Sequence, residues 1–247
     1  TSRPCLCTCS ISCAIEHDAG MSWRDSQDDS RRRYLAKFDA AEAERYDTVV
    51  GTLAREDEDA YLSDLTGVLR LVPGMQVLDA GAGTGTLTRI LARSPGVGLT
   101  ALEPAPAMLA RLRARPELQG VTALEGFCDA VADRALFAPA RFDVIASRQL
   151  VNGLYDPLAA FANWHCWLKP AGAVLVIDGL YERAAWSGTW AEEVDVLPVA
   201  ACQSTALVPY LLERSGFTVE AVRLMDAVNR RPLTRTPRYL VVARKRS

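Results

Sequence analysis

Ten residues, Val77-Leu78-Asp79-Ala80-Gly81-Ala82-Gly83-Thr84-Gly85-Thr86, constrain this chain more than any other stretch. Met75, Val77 and Leu78 make a short, mainly apolar run, Asp79 ends it, three glycines follow on alternate positions, and Leu87, Ile90 and Leu91 then recur at helical spacing. The pattern reads as strand, tight turn and helix. A backbone without Cβ reaches positive φ and lets a ligand approach closely, and the first amides of the helix stay free for a polar or anionic group. A nucleotide-like ligand is therefore expected across the turn, although a purely structural turn would show the same glycines. A dinucleotide site spaces its glycines G-x-G-x-x-G. Gly81, Gly83 and Gly85 are spaced G-x-G-x-G and fit that pattern poorly.

The turn has a large enough setting. With 247 residues, 49% of them hydrophobic, the chain can bury a full core in one elaborated α/β domain. A net charge of −2 gives no electrostatic case for a nucleic-acid surface, and no apolar run is long enough to span a bilayer. Cys5, Cys7, Cys9 and Cys13 crowd the first residues, whereas Cys128, Cys166 and Cys202 are scattered. The scattered three read as reduced thiols and a cytoplasmic setting. The first cluster lacks paired C-x-x-C knuckles, so no metal is assigned to it. Serine and threonine break its apolar stretch, which argues against a signal peptide. Residues 1–30 are expected to form a disordered leader, with Met21 a sensible start, and His17 falls inside it.

From residue 31, Leu35 and Phe38 share one helical face with Tyr46 further on, and Leu62, Leu65 and Leu69 set another before Pro73-Gly74. Elements that precede the first strand are not crossovers, so residues 31–72 are expected to form a helical lid over the ligand. The Arg31-Arg32-Arg33 run reads as a solvated helix start. Residues 73–180 then alternate regularly. Strands are expected at 97–102, 121–127, 141–147 and 173–177, with helices carried by Met108 and Leu109 and by Leu158, Phe161, Trp164 and Leu168. Glu103 ends the second strand about twenty residues beyond the glycines, where doubly wound folds place a carboxylate that accepts from ribose hydroxyls. In open α/β sheets ligands lie outside the carboxyl ends of the strands, so residues 148–156 face the reacting groups. Residues 181–203 interrupt the alternation with Trp186 and Trp190 and read as a substrate-side insertion. Residues 204–247 supply a last helix and a hairpin. His165 sits mid-helix among tryptophans and is given no catalytic role.

The motif VLDAGAGTG at 77–85, Glu103, Asp129 and the Leu168-to-Gly172 turn occur in an order that resembles the class I S-adenosylmethionine-dependent methyltransferases, over about residues 38 to 245. The resemblance implies a Rossmann-like, doubly wound α/β fold with a seven-stranded sheet in the order 3-2-1-4-5-7-6 and an antiparallel last strand. It implies S-adenosylmethionine as cofactor, held by Tyr46, Asp79, Gly81, Ala82, Gly83, Glu103, Pro104, Met108, Cys128, Asp129, Ala130 and Arg148. Tyr46-Asp47 resembles the pair that closes over the cofactor's amino-acid end. Asp129 would accept from the adenine amino group, with Ala105 and Met108 bordering the ring. Cys128 and Ala171 stand where the family usually has glycine. Arg148, Asn152 and Tyr155 are the acceptor-positioning candidates for an in-line displacement onto a small molecule, with neither nucleic acid nor membrane as partner. Two other readings share parts of this pattern: a cofactor-binding subunit or sensor without transferase activity, and an NAD-dependent oxidoreductase.

Overall fold

The computed structural model describes residues 23–186, 191, 193–232 and 234–246. The N-terminal cysteines, His17 and Trp190 lie outside the described residues. Seven strands form one sheet: β1 (Gln76–Ala80), β2 (Gly98–Glu103), β3 (Thr122–Glu125), β4 (Phe142–Arg148), β5 (Leu168–Gly179), β6 (Phe217–Leu224) and β7 (Arg238–Lys245). Their order is β3-β2-β1-β4-β5-β7-β6, as expected. The first five strands run parallel, and β7 lies antiparallel between β5 and β6. The expected third strand, 121–127, shrinks to the four residues of β3 at the sheet edge.

The middle strands are buried along almost their whole length because helices cover both faces, as parallel sheets require. On one face α6 (Pro157–Trp167) and α7 (Leu207–Arg214) place Phe161, Trp164, Trp167 and Leu212 against Ile145, Val174 and Val241. On the other, α3 (Arg55–Thr66), α4 (Thr86–Ala92) and α8 (Asp226–Asn229) pack Tyr61, Leu65, Leu87, Ile90 and Val228 on Val77, Val144 and Leu175. A smaller cluster joins α1 (Trp23–Lys37) and α2 (Ala40–Tyr46) to α5 (Pro106–Arg113) through Phe38, Ala43, Ala105 and Met108.

Three expectations change here. The disorder expected over residues 1–30 does not hold for residues 23–30, the rest of that stretch lying outside the described residues, because α1 begins at Trp23. Its polar residues carry no apolar period, yet Gln27 donates from Nε2 to the Asp129 carbonyl at 2.7 Å, so tertiary contacts hold a helix that propensity alone does not specify. Second, α3 is not lid. Its apolar side enters the core, and the Asp64 carboxylate accepts from the amides of Ala227 and Val228 at 3.1 and 3.0 Å, tying it to α8, a helix that the sequence reading left out. Among the described residues before β1, those lining the cavity at the sheet's carboxyl edge come from α1, α2 and the link between them. Third, the 168–172 turn is a bulged entry into β5. Pairing steps from Phe142 with Leu168 to Val144 with Ala173, and Ala171 adopts φ 57°, a conformation that glycine would reach at less cost. Cys128 shows no such strain; its backbone lies outside the positive-φ region.

Candidate functional site

The glycine turn links β1 to α4 at the carboxyl edge of the sheet, and a cavity of about 380 Å³ opens there, of the size that takes a cofactor or a drug-sized ligand. All three glycines have positive φ, at 67°, 57° and 92° for Gly81, Gly83 and Gly85. Their purposes differ. A Cβ on Gly81 would stand 2.6 Å from Leu150 and one on Gly85 2.8 Å from Leu118, so these two serve packing as well as the turn. A Cβ on Gly83 would meet nothing nearer than Met108 at 4.0 Å and would project into the cavity. Gly83 is thus the position where the protein leaves room for a ligand.

Glu103, 2% exposed, braces this opening. Its Oε2 accepts from the Gly83 amide and its Oε1 from the Ala105 amide, both at 2.9 Å. Burial pushes its pKa up to about 7, against the two backbone donors. Asp79 lies behind the turn and does not line the cavity. Its Oδ2 accepts from Thr88 Oγ1 at 2.6 Å, its Oδ1 has no hydrogen-bond partner among the described residues, and burial again raises its pKa to about 7. Ala82 and Ala130, also assigned from sequence, are off the wall: the Ala82 amide donates to the Leu102 carbonyl at 3.0 Å and the Ala130 carbonyl accepts from Asn163 at 2.7 Å. Tyr46, Gly81, Gly83, Glu103, Pro104, Met108, Cys128, Asp129, Arg148, Asn152 and Tyr155 do come together around the cavity.

Asp129 has partners that the sequence reading did not foresee. Its Oδ1 accepts from Arg31 Nη2 at 2.7 Å and its Oδ2 from the Tyr155 amide at 3.0 Å. Arg31 also pairs with Asp133 at 2.5 Å and lies 4.4 Å over the Phe127 ring. The arginine expected at a solvated helix start is instead the latch of α1, invisible in the sequence because its two acids lie about a hundred residues away (98 and 102). Lys37 Nζ, from the same helix, meets Glu193 of the insertion at 2.8 Å. Arg31→Ala should cost about 2 kcal/mol, the scale of a half-buried charged hydrogen-bond pair. Hydrogen exchange should then quicken in residues 23–37 and leave β1 and β4 unchanged; uniform exchange would refute the latch.

At the end of β4, Arg148 Nε donates to the Tyr61 hydroxyl at 3.1 Å, with the guanidinium 5.3 Å over that ring, and Tyr46 also bonds to it. Burial opposes its charge, but the surrounding phenols Tyr61 and Tyr46 outweigh burial and raise its pKa. The next residue, Gln149, holds φ 54° and donates from Nε2 to the Tyr181 hydroxyl at 2.7 Å. The Asn152 amide donates to Asp178 Oδ2 at 3.0 Å, and its own Oδ1 is buried without a partner among the described residues. The Tyr155 hydroxyl meets Ser26 Oγ of α1 at 2.8 Å. Tyr181, Gln149 and Trp186 line the cavity; Gln149 falls within the expected stretch 148–156 and Tyr181 and Trp186 within the expected substrate-side insertion, although none was singled out as a site residue. His165 is elsewhere, its ring 5.3 Å from that of Phe217. Among the described residues no three His, Cys, Asp or Glu are grouped to hold a metal ion, and no helix is long and apolar enough to cross a membrane.

Residues 77–172 match the family model of the methyltransferase domain. No curated protein matches the chain in sequence. Among solved structures, the chain is similar to an S-adenosylmethionine-dependent methyltransferase from Mesorhizobium loti, at 24% identity and TM-score 0.59, covering 77% of this chain and all of that one. It is similar to the complex of the Haloferax volcanii Trm112 methyltransferase activator with a methyltransferase, at 18% identity and TM-score 0.64, over 88% of this chain and 98% of that one. It is also similar to phosphoethanolamine N-methyltransferase 2 of Haemonchus contortus in complex with S-adenosyl-L-methionine, at 18% identity and TM-score 0.64, covering 93% of this chain and 61% of that one.

Proposed function

We propose that the chain is a class I S-adenosylmethionine-dependent methyltransferase, a reading supported by the methyltransferase-domain match over residues 77–172 and by the strand order, and that it moves the methyl group of S-adenosylmethionine to a small-molecule acceptor by in-line displacement. The observation that carries this reading is the pairing of Gly83, whose side is open to the cavity, with Glu103, which holds the Gly83 amide from the end of β2. A carboxylate with two oxygens keeps lone pairs for ribose hydroxyls after accepting one amide at each oxygen. Met108 and Phe127 on the same wall suit an adenine ring. The Haemonchus contortus enzyme, solved with S-adenosyl-L-methionine, supports that cofactor here.

When bound, the cofactor supplies a methyl group on an already activated sulfonium leaving group. What remains for this chain is to bind, orient and exclude water, and proximity is the main contribution. Tyr46 and α1 close the roof, and Arg148, Asn152 and Tyr155 position the acceptor. Asp129, with both oxygens engaged, serves α1 first and the adenine at most through a remaining lone pair. The free thiols of Cys128, Cys166 and Cys202 support a cytoplasmic setting.

Calorimetric titration tests the reading. Binding of S-adenosylmethionine and S-adenosylhomocysteine on the order of −8 kcal/mol is expected, with none for NADH. Silence from both adenosyl ligands would withdraw the proposal, and binding of NADH alone would replace it with an oxidoreductase.

A further inference from the structure

Arg148 is a cation on the cavity wall that forms no ion pair among the described residues. Its Nε is committed to Tyr61, and Tyr46 is its other hydrogen-bond partner. Asp79 and Asp178 feel its field, but each is bonded elsewhere, Asp79 by Thr88 and Asp178 by the amides of Asn152 and Gly179. A planar guanidinium with free N–H groups at a cavity wall is shaped for a carboxylate.

Tyr181 adds a second donor. Its hydroxyl oxygen accepts from Arg238 Nη1 and from Gln149 Nε2, and Gln149 keeps φ 54° while doing so. A phenol has two lone pairs and one proton. With both lone pairs used, Tyr181 is left as a donor, and no protein acceptor for its proton is present among the described residues. Its ring stands 5.9 Å from that of Trp186, which with Leu150 and Leu197 gives the same region an apolar wall.

We infer that the methyl acceptor carries a carboxylate, seated between the Arg148 guanidinium and the Tyr181 hydroxyl, with an apolar body against Trp186, Leu150 and Leu197. The inference rests on the methyltransferase reading. The cofactor's own carboxylate is the other source of that chemistry. Sheet order favours the acceptor: the adenosyl-facing residues come from β1, β2 and α5, whereas Tyr181 and Trp186 follow β5, on the far side of β4.

The test uses the full chain saturated with S-adenosylhomocysteine and titrated with benzoate and phenylacetate, each against its neutral amide. The parent should favour the acids over the amides by about tenfold or more, as expected where a charged donor would otherwise face a neutral group. Arg148→Gln should erase that preference and Tyr181→Phe should reduce it severalfold, with the Tyr181→Phe variant keeping its affinity for S-adenosylhomocysteine within about threefold. Tyr181→Phe retains the ring, so the test survives if Arg148→Gln fails to fold. Equal binding of acids and amides by the parent, or no binding of either acid, would overturn the inference. So would loss of S-adenosylhomocysteine affinity in Arg148→Gln with the acid preference intact, which gives Arg148 to the cofactor. A parent that does not bind S-adenosylhomocysteine brings down the methyltransferase reading instead.

Discussion

Glu103→Ala should lose S-adenosylhomocysteine affinity by about a hundredfold or more while the sheet remains folded. The side chain holds two backbone amides, Gly83 at the ligand opening and Ala105 at the start of α5, each at 2.9 Å. Bonds of this kind to a charged group contribute about 1.5–3 kcal/mol each, and leaving a buried amide unpaired costs on the same scale. In the proposed complex the same carboxylate also accepts from the ribose. Part of the loss falls on folding and part on binding; about 3 kcal/mol in binding corresponds to two orders of magnitude. Glu103→Gln makes a sharper variant, because its NH2 group would point at one of the two amide donors. Titration calorimetry, with melting curves as the control for folding, checks both. Affinity within about threefold of the parent would remove Glu103 from the site.

The second large effect is on stability against pH. Three acids buried at the sheet's carboxyl edge have raised pKa values: Asp79 and Glu103 at about 7 and Asp178 at about 6, each pushed up chiefly by burial. A raised carboxyl binds its proton more tightly folded than unfolded, so the unfolded chain gives up protons first as pH rises. Stability therefore falls between about pH 4 and pH 7 and levels off above, and each group accounts for on the order of 3 kcal/mol across that window. This is the reverse of an acid held by an ion pair, such as Asp143, where burial raises the pKa but the Gln76 amide and Lys169 together outweigh it and lower the pKa. Urea unfolding at about pH 5 and pH 8 should show the lower stability at pH 8. Asp79→Asn and Asp178→Asn should each flatten the profile, and the amide oxygen that Asp79→Asn introduces can still accept from Thr88. A parent as stable at pH 8 as at pH 5 would show that these acids are neutralised by something other than protons.

The same burial gives ligand binding a pH dependence of opposite slope. Ribose hydroxyls donate to an ionised carboxylate, so binding should lower the Glu103 pKa from about 7 and release a proton. Affinity for S-adenosylhomocysteine should climb as pH rises through this region and then plateau. Binding enthalpies in buffers of different ionisation heat measure the released proton directly.

The strand order, the glycine turn and the placement of Glu103 were legible in the sequence because each depends on neighbours close along the chain. A strand buried on both faces writes itself as a continuous apolar run, and a turn needing positive φ writes itself as glycine. The spacing from Gly83 to Glu103 spans one βα unit, a fixed length of local structure. The partners of Arg31 and Tyr181 were not legible in this way. Arg31 is one of three adjacent arginines and differs from Arg32 only in the direction it faces once α1 lies on Asp129 and Asp133. Tyr181 becomes a donor only because Arg238, 57 residues away, reaches its oxygen. Local periodicity thus determined which elements form and in what order they line the cavity. Only tertiary packing decided which side chains lose water, which acids are held near neutrality, and which donors remain for a ligand, because those properties arise from contacts between segments that the chain keeps far apart.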